Sequence, residues 1–280
     1  LQDTSLFRPS AVAAVVEYHQ RLPDGETLDG NAILSSHGPA DVPPASRPWM
    51  QLPHAPPSER ARQLLAAMTL REKLGMLHGS CNWHGYVGNV CPIDRLGVPS
   101  IKMNDGPQGF RDNLHPGSTT GWPCGLAIGA TFDAEAAFKW GAAMGVEFFG
   151  KGANVQLGPG LNVARVPRNG RNFEYLSGED PFLGATLVPA VVHGIQNQSV
   201  IANAKHWVNN NQETDRTTIS EIVDERTQFE MYYPPFQAAV DAGIGSFMCS
   251  YNKIRGKWSC ENPQTLQTDL KDRLGFGGRV

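Results

Sequence analysis

Side chains able to hydrogen-bond or carry charge collect in this sequence at the downstream ends of apolar runs. Asp105 follows "SIKM", Lys205 and His206 follow "VIANA", and Tyr251 follows "SFMCS". Behind the apolar run "ANVQL" and a Gly/Pro-rich connection, "RNGRNFEYLSGED" carries Arg168, Arg171 and Glu174. A carboxylate accepts several hydroxyl protons, while guanidinium, ammonium and imidazole groups donate to hydroxyl oxygens. The stretch "AKHWVNNNQETDR" adds Asn209, Asn210, Asn211, Gln212, Glu213 and Arg216. Four consecutive amides are expensive to bury without partners, so they read as the lining for a ligand with many hydroxyls. Each residue alone also has a plain structural explanation. Asp105 before Gly106-Pro107 suits a turn, Arg171 and Glu174 suit an ion pair, Tyr251 suits a half-buried strand, and the amides suit a solvated loop. Several strand ends delivering such groups together is the stronger signal.

Other chemistries lack their signatures. No Gly-rich loop of dinucleotide or P-loop spacing precedes a helix, and there is no GxSxG elbow. No CxxC or HxxxH spacing suggests zinc. We therefore expect no cofactor and no metal.

The elements that must position these groups alternate in type. "SERARQLLAAM" reads as a helix, and "TLREKLGML" follows with Thr69 and Glu72 spaced as a capping box. "PSIKM" is a strand. "DAEAAFKWGAAMGVEFFGKG" is a helix capped by Asp133 that leads to the strand "ANVQL". "FLGATLVPAVVHGIQ" is a helix before the strand "SVIANAKHW". "DERTQFEMYYPPFQAAVDAG" is a helix interrupted at Pro234 and Pro235, and "GSFMCSY" is a strand. A closing helix follows, with Asn262 as N-cap and Pro263 in its first turn. Leu266, Leu270 and Leu274 lie at four-residue spacing, and Gly275 sits past its end. A further strand begins at Arg279. Repeated βα units imply a parallel sheet, as a barrel or a doubly wound fold, and strand ends converge on one face of a barrel. Residues 1–57, rich in Pro and Gly and without sustained period, read as an N-terminal arm, and residues 58–280 as the βα body.

Net charge is −3 over 280 residues, with no block of Lys or Arg, which argues against nucleic acid or an anionic membrane as main partner. No apolar stretch is long enough to span a bilayer. No charged n-region with an apolar core follows Leu1, so the chain reads as processed or as a fragment. Five cysteines are an odd number for complete pairing. Cys249 and Cys260 flank the turn-like "SYNKIRGKWS", and Cys81 and Cys91 flank "NWHGYVGNV". Either pair closes a loop in an oxidising compartment, and five buried thiols in a cytosolic protein is the alternative. Asn197 in "NQS" is the single glycosylation sequon, so an extracellular or secretory location is the expectation.

"MNDGPQGFR", "GPGLNVARVPRNGRNFEYLSGEDPFLG", "NAKHWVNNNQETDR" and "MCSYNKIRGKWSCENPQTLQTDLKDRLGFGG" resemble the N-terminal barrel of glycoside hydrolase family 3, the β-glucosidase family. The resemblance runs in order from about Thr69 to Val280. It implies an α/β fold of the (β/α)8, TIM-like type, incomplete at its C-terminal end. It further implies hydrolysis of terminal β-D-glucosyl or related residues by a retaining double displacement in the intact protein. Asp105, Arg171, Lys205 and His206 match the family's glycone-binding residues, and Tyr251 the tyrosine that orients the nucleophile. Arg168 and Glu174 fall behind them. The nucleophile is expected just after Val280, in a Ser-Asp-Trp segment, and the general acid/base in a following domain. The remainder of the protein, or another chain, should then cover the open barrel edge. The isolated chain should be inactive, Glu213 and Asp215 being unsuited as substitutes. The alternative is a non-catalytic glycan-binding or structural subunit.

One local expectation follows from combining the pleat with the resemblance. Successive strand side chains point to opposite faces, so Lys205 and His206 reach one ligand only if the backbone leaves the pleat. A non-prolyl cis peptide between them is the expected device.

Overall fold

The computed structural model describes residues 47, 49, 55–79, 81 and 85–280. The expected arm over 1–57 lies almost wholly outside the described residues. The chain divides into two units, 1–102 and 103–280.

In the first unit, α1 (Pro57–Ala67) begins with proline, whose missing N–H is no loss in a first turn. α2 (Leu70–Gly75) opens on the expected capping box. Glu72 N donates to Thr69 Oγ1 at 3.2 Å, and Thr69 N donates to Glu72 Oε2 at 2.8 Å. Hydrogen bonds from Arg95 and from Thr69 hold the Glu72 carboxyl down at about 2. Met68, Ile93, Leu96 and Val98 form a buried cluster, with Leu64, Ala67 and Met76 packed against it. A short strand, β1 (Gly88–Val90), precedes the disulfide partner of Cys81, Cys91.

The joining strand β2 (Ile101–Asp105) runs into the second unit. There α3 (Gly125–Gly129), α4 (Ala134–Gly150), β3 (Val155–Leu157), α5 (Pro181–Gln196) and β4 (Ile201–Trp207) follow. β5 (Ser220–Glu221), α6 (Glu225–Thr227), α7 (Pro234–Asp241) and β6 (Ser246–Cys249) come next, then the hairpin of β7 (Lys253–Ile254) and β8 (Lys257–Trp258). β2, β3, β4 and β6 lie side by side and all parallel, pairing Asp105 with Leu157, Gln156 with Ala202, and Lys205 with Met248. The strand expected at Arg279 is present as one parallel bridge to Ser246. With helices on every crossover, this is an incomplete (β/α)8-type barrel.

α4 packs on α5, and α5 on α7. Buried Ala137, Trp140, Gly141, Met144 and Phe148 give α4 its apolar stripe. Glycine lets α4 and α5 approach closely, since a Cβ on Gly194 would lie 2.5 Å from the Phe138 carbonyl oxygen. Asp133 caps α4 as expected, accepting from Glu135 N and Ala136 N. Trp207, fully buried, stacks on Tyr233 with centroids 4.6 Å apart and meets Phe236 and Phe247 edge-on.

Two expectations are corrected. The closing helix with Leu266, Leu270 and Leu274 is π-helical over Gln264–Arg273, and Leu274 N bonds Asp269 O five residues back at 2.9 Å. Asn262 does accept from Gln264 N, and Gly275 takes φ 80°. "SYNKIRGKWS" is more than a turn. It holds the β7–β8 hairpin, closed by Arg255 and Gly256 with φ 49° and 84°, and β7 pairs with β5 in a separate sheet.

Candidate functional site

Four charged residues from two strand ends and one loop meet in the second unit. Asp105, the last residue of β2, places Oδ1 3.6 Å from Lys205 Nζ of β4. The same ammonium lies 3.8 Å from Glu174 Oε2. Glu174 Oε1 accepts a short hydrogen bond from Arg171 Nε, at the start of a 3-10 turn over Asn172–Glu174. The chain of charge thus reads Asp105, Lys205, Glu174, Arg171, alternating in sign. Burial lowers the proton affinity of Lys205 despite both carboxylates. Burial also works against the Arg171 charge, but Glu174 outweighs it and holds the guanidinium above its ordinary value.

Tyr251 closes the other side. Arg171 Nη1 donates to its hydroxyl at 3.5 Å, and the Arg216 guanidinium stands 4.1 Å from its ring centroid. Glu213 joins the two arginines, with Oε2 2.7 Å from Arg216 Nη1 and Oε1 4.0 Å from Arg171 Nη1. Glu213 is therefore committed to two cations. Asp215 is exposed, with φ 54°.

The Lys205–His206 peptide is cis, as expected from the clash between the pleat and a shared ligand. Trp207–Val208 is also cis, which sequence reasoning did not foresee. Asn162 brackets His206, accepting from its N–H at 2.7 Å and donating to its carbonyl at 3.2 Å. The His206 ring is fully buried, with Tyr251 at 5.3 Å between centroids and Tyr175 Oη 3.2 Å from Nδ1. Burial, then the charges of Lys205, Arg171 and Arg216, push its pKa well below 6.5, so the imidazole is neutral. Its Nε2 is buried without a hydrogen-bond partner.

Of the sequence candidates, Asp105, Arg171, Glu174, Lys205, His206 and Tyr251 come together. Glu174 stands between two cations, a more central position than the one expected for it. Arg168 is exposed and makes no hydrogen bond or ion pair among the described residues. The amide run divides its tasks instead of lining one surface. Asn209 makes a reciprocal pair with Gln228 at 2.7 and 3.1 Å, Gln212 donates to Thr214 O, and Asn210 joins Tyr175 and His206. Sequence reasoning missed Arg111, whose Nη1 lies 3.3 Å from Asp105 Oδ2, and the supporting trio Asn162, Tyr175 and Asn210. Arg111 lay within "MNDGPQGFR" and Tyr175 within "RNFEYLSGED", but an aromatic there reads by default as core.

Cys249 and Cys260 form a disulfide with Cα atoms 5.2 Å apart, as do Cys81 and Cys91, leaving Cys124 unpaired. The Asn197 side chain is exposed at the end of α5. No group of three or more His, Cys, Asp or Glu among the described residues is arranged to hold a metal. No described helix is long and apolar enough to cross a membrane. A cavity of about 590 Å³ lies apart from the charged cluster, lined by Phe229, Tyr233, Arg255, Asn262 and Asp269 among others. None of the candidate site residues at the strand ends lines it.

Comparison with known proteins gives a consistent answer. Residues 85–280 match the family model described as glycosyl hydrolase family 3 N terminal domain. A probable β-glucosidase L of Aspergillus terreus is 43% identical over 225 residues, covering 79% of this chain and 30% of that protein. A β-glucosidase of Rhizobium radiobacter is 43% identical over 224 residues, covering 78% of this chain and 26% of its own length. Among solved structures, the β-glucosidase DesR of Streptomyces venezuelae in complex with D-glucose superposes with TM-score 0.75 at 38% identity, over 78% of this chain and 28% of that one. The β-D-glucoside glucohydrolase of Trichoderma reesei gives 0.74 at 39%, over 84% and 32%. The chain thus spans under a third of the length of these relatives.

Proposed function

The chain belongs to glycosyl hydrolase family 3, and we propose that it forms the part of a β-glucosidase that holds the terminal glucosyl residue. The observation that carries this is the convergence of Asp105, Arg171, Lys205 and His206 from three segments of one barrel face. Asp105 supplies the acceptor, the two cations donate, and the neutral imidazole adds an uncharged partner. Such a set matches the several hydroxyls of a pyranose. Tyr251, held by Arg171 and Arg216, stands where a further group approaching the sugar is oriented.

A retaining glycosidase uses two carboxyl groups about 5 Å apart, one as nucleophile and one as acid and base. In this proposal both come from beyond residue 280. The carboxylates in the cluster are already engaged, Glu174 by Arg171 and Lys205 and Glu213 by two arginines. The rest of the barrel pairs along the side of β6 that Arg279 begins to cover. Two disulfides and the exposed Asn197 support passage through an oxidising, secretory compartment.

The test is titration of the 280-residue protein with D-glucose by calorimetry or NMR, alongside an assay with an aryl β-glucoside. Saturable glucose binding weakened by Asp105→Asn, with no turnover, is the expected result. Turnover abolished by Glu213→Gln would overturn the assignment of the missing carboxylates. Absence of any glucose binding by a folded protein would count against the subsite itself.

A further inference from the structure

His206 is held by more than its neighbours' charges. Tyr175 Oη lies 3.2 Å from His206 Nδ1, and Asn210 Nδ2 lies 3.1 Å from the same hydroxyl and 3.5 Å from the same ring nitrogen. All three side chains are buried, with relative exposures of 0%, 0% and 1%. In such a place each polar proton needs an acceptor within the group.

With the Asn210 amide turned so that Nδ2 faces the Tyr175 hydroxyl, the bookkeeping of protons has one good solution. Asn210 Nδ2 can only donate, so Tyr175 Oη accepts from it. The hydroxyl proton must then go elsewhere, and His206 Nδ1 is the acceptor in reach. Nδ1 therefore carries a lone pair, and the ring proton of the neutral imidazole sits on Nε2. The other tautomer fails three times over. It would orphan the Tyr175 proton, set Asn210 Nδ2 against an N–H, and leave a bare lone pair on Nε2. In the first arrangement the Nε2–H is the one proton of the group left without an acceptor among the described residues, and Asn210 Oδ1 the one acceptor left without a donor. A buried donor without an acceptor is a cost that a ligand hydroxyl removes.

We propose that Tyr175 and Asn210 are positioning residues that fix His206 as the Nε2–H tautomer, so that it meets a sugar hydroxyl as a donor and not as an acceptor. The final step rests on the glucosyl reading of this site, whereas the tautomer does not. Burial and the nearby cations Lys205, Arg171 and Arg216 keep the ring neutral, which the arrangement requires. The consequence is a site in which His206, Lys205 and Arg171 all donate, leaving Asp105 as the carboxylate acceptor directed at the ligand.

Long-range 1H–15N correlation spectra of the protein labelled with 15N-histidine read the tautomer directly, with His206 assigned by the signal lost in His206→Gln. The expected ligand-free pattern at neutral pH is a protonated Nε2 and an unprotonated Nδ1. A protonated Nδ1, or an imidazolium, overturns the proposal. In Asn210→Asp, a carboxylate beside Nδ1 should draw the proton to that nitrogen and weaken glucose binding several-fold. Tyr175→Phe should leave the two tautomers mixed. Unchanged spectra in both folded variants would show that these residues do not set the tautomer. If a variant fails to fold, the wild-type spectrum still decides. Adding D-glucose should shift the Nε2 resonance. An Nε2–H tautomer that ignores glucose would preserve the positioning role and count against the glucosyl reading alone.

Discussion

Glu174→Gln is the sharpest probe of how the charged cluster holds together. Glu174 is 4% exposed and faces two cations, Arg171 through Oε1 and Lys205 at 3.8 Å through Oε2. At that separation a pair of unit charges interacts by about 4 kcal/mol for an effective dielectric near 20. The amide keeps the shape of the side chain but removes its charge, leaving two buried cations facing a neutral group. Breaking a buried ion pair from one side costs about 3–5 kcal/mol. Here each cation keeps a second carboxylate, Asp105 at 3.6 Å from Lys205 and Glu213 at 4.0 Å from Arg171. The loss should therefore sit at the low end, about 3 kcal/mol, which lowers Tm by about 6–12 °C in a protein of this size. Differential scanning calorimetry of Glu174→Gln against wild type measures it. Glu135→Gln is the control, because its pair with Lys139 is exposed on both sides and should have no measurable effect. A Tm within 2 °C of wild type for Glu174→Gln would mean that water, not Glu174, compensates these cations.

Acid should weaken the protein through His206. Its folded pKa lies well below 6.5, so the unfolded chain takes up a proton that the folded one refuses. This contribution is fully present above pH 6.5 and is lost as pH falls toward the folded value, at up to about 1.4 kcal/mol per pH unit. Urea unfolding at pH 7 and 5 should show a smaller drop for His206→Gln than for wild type, and equal drops would refute the assignment. Alkylation of the unfolded, unreduced protein should modify Cys124 alone, as mass spectrometry would show, and a second adduct would remove one of the disulfides. Arg171→Ala should weaken glucose binding about tenfold or more, in line with about 1.5–3 kcal/mol for a hydrogen bond to a charged group. Arg168→Ala should leave binding unchanged, and a comparable loss would return Arg168 to the site.

The sequence made the scaffold legible wherever local chemistry decides structure. Thr69 with Glu72, and Asp133 ahead of an apolar stripe, satisfy helix N-termini with bonds that need no tertiary context. The parallel order followed from strands alternating with helices. Leucine spacing in 266–274 signalled a helix but not its winding, since Leu270 and Leu274 are buried equally well when the backbone closes π-type rings. Arg168 and Arg171 are the same residue type three positions apart, and nothing local separates the exposed one from the one held by Glu174. Asn209, Asn210 and Asn211 present the same difficulty. Their partners Gln228 and Tyr175 come from distant segments, so residue type gave the need for partners and only the fold gave their identity.

The segment from Lys205 to Asn210 shows why such a site asks so much of one strand end. Lys205 and His206 both face the charged cluster, while the next residue, Trp207, anchors in the opposite layer among Tyr233, Phe236 and Phe247. Its indole donates to Thr265 O at 3.0 Å, and its carbonyl accepts from Ser250 N and Ser259 Oγ. Asn162 fixes both backbone groups of His206 from the neighbouring loop. Asn209 then locks to Gln228, and Asn210 turns back to Tyr175 and His206. Lys205, His206 and Asn210 are thus tied to the site, and Trp207 and Asn209 to the helix layer, within one short segment. Precise placement of hydrogen-bonding groups comes from supports whose own positions are locked. A conservative change in a support, such as Asn162→Ser, should accordingly weaken glucose binding without removing any group that touches the sugar, while leaving the far-ultraviolet spectrum of the parallel barrel as it is.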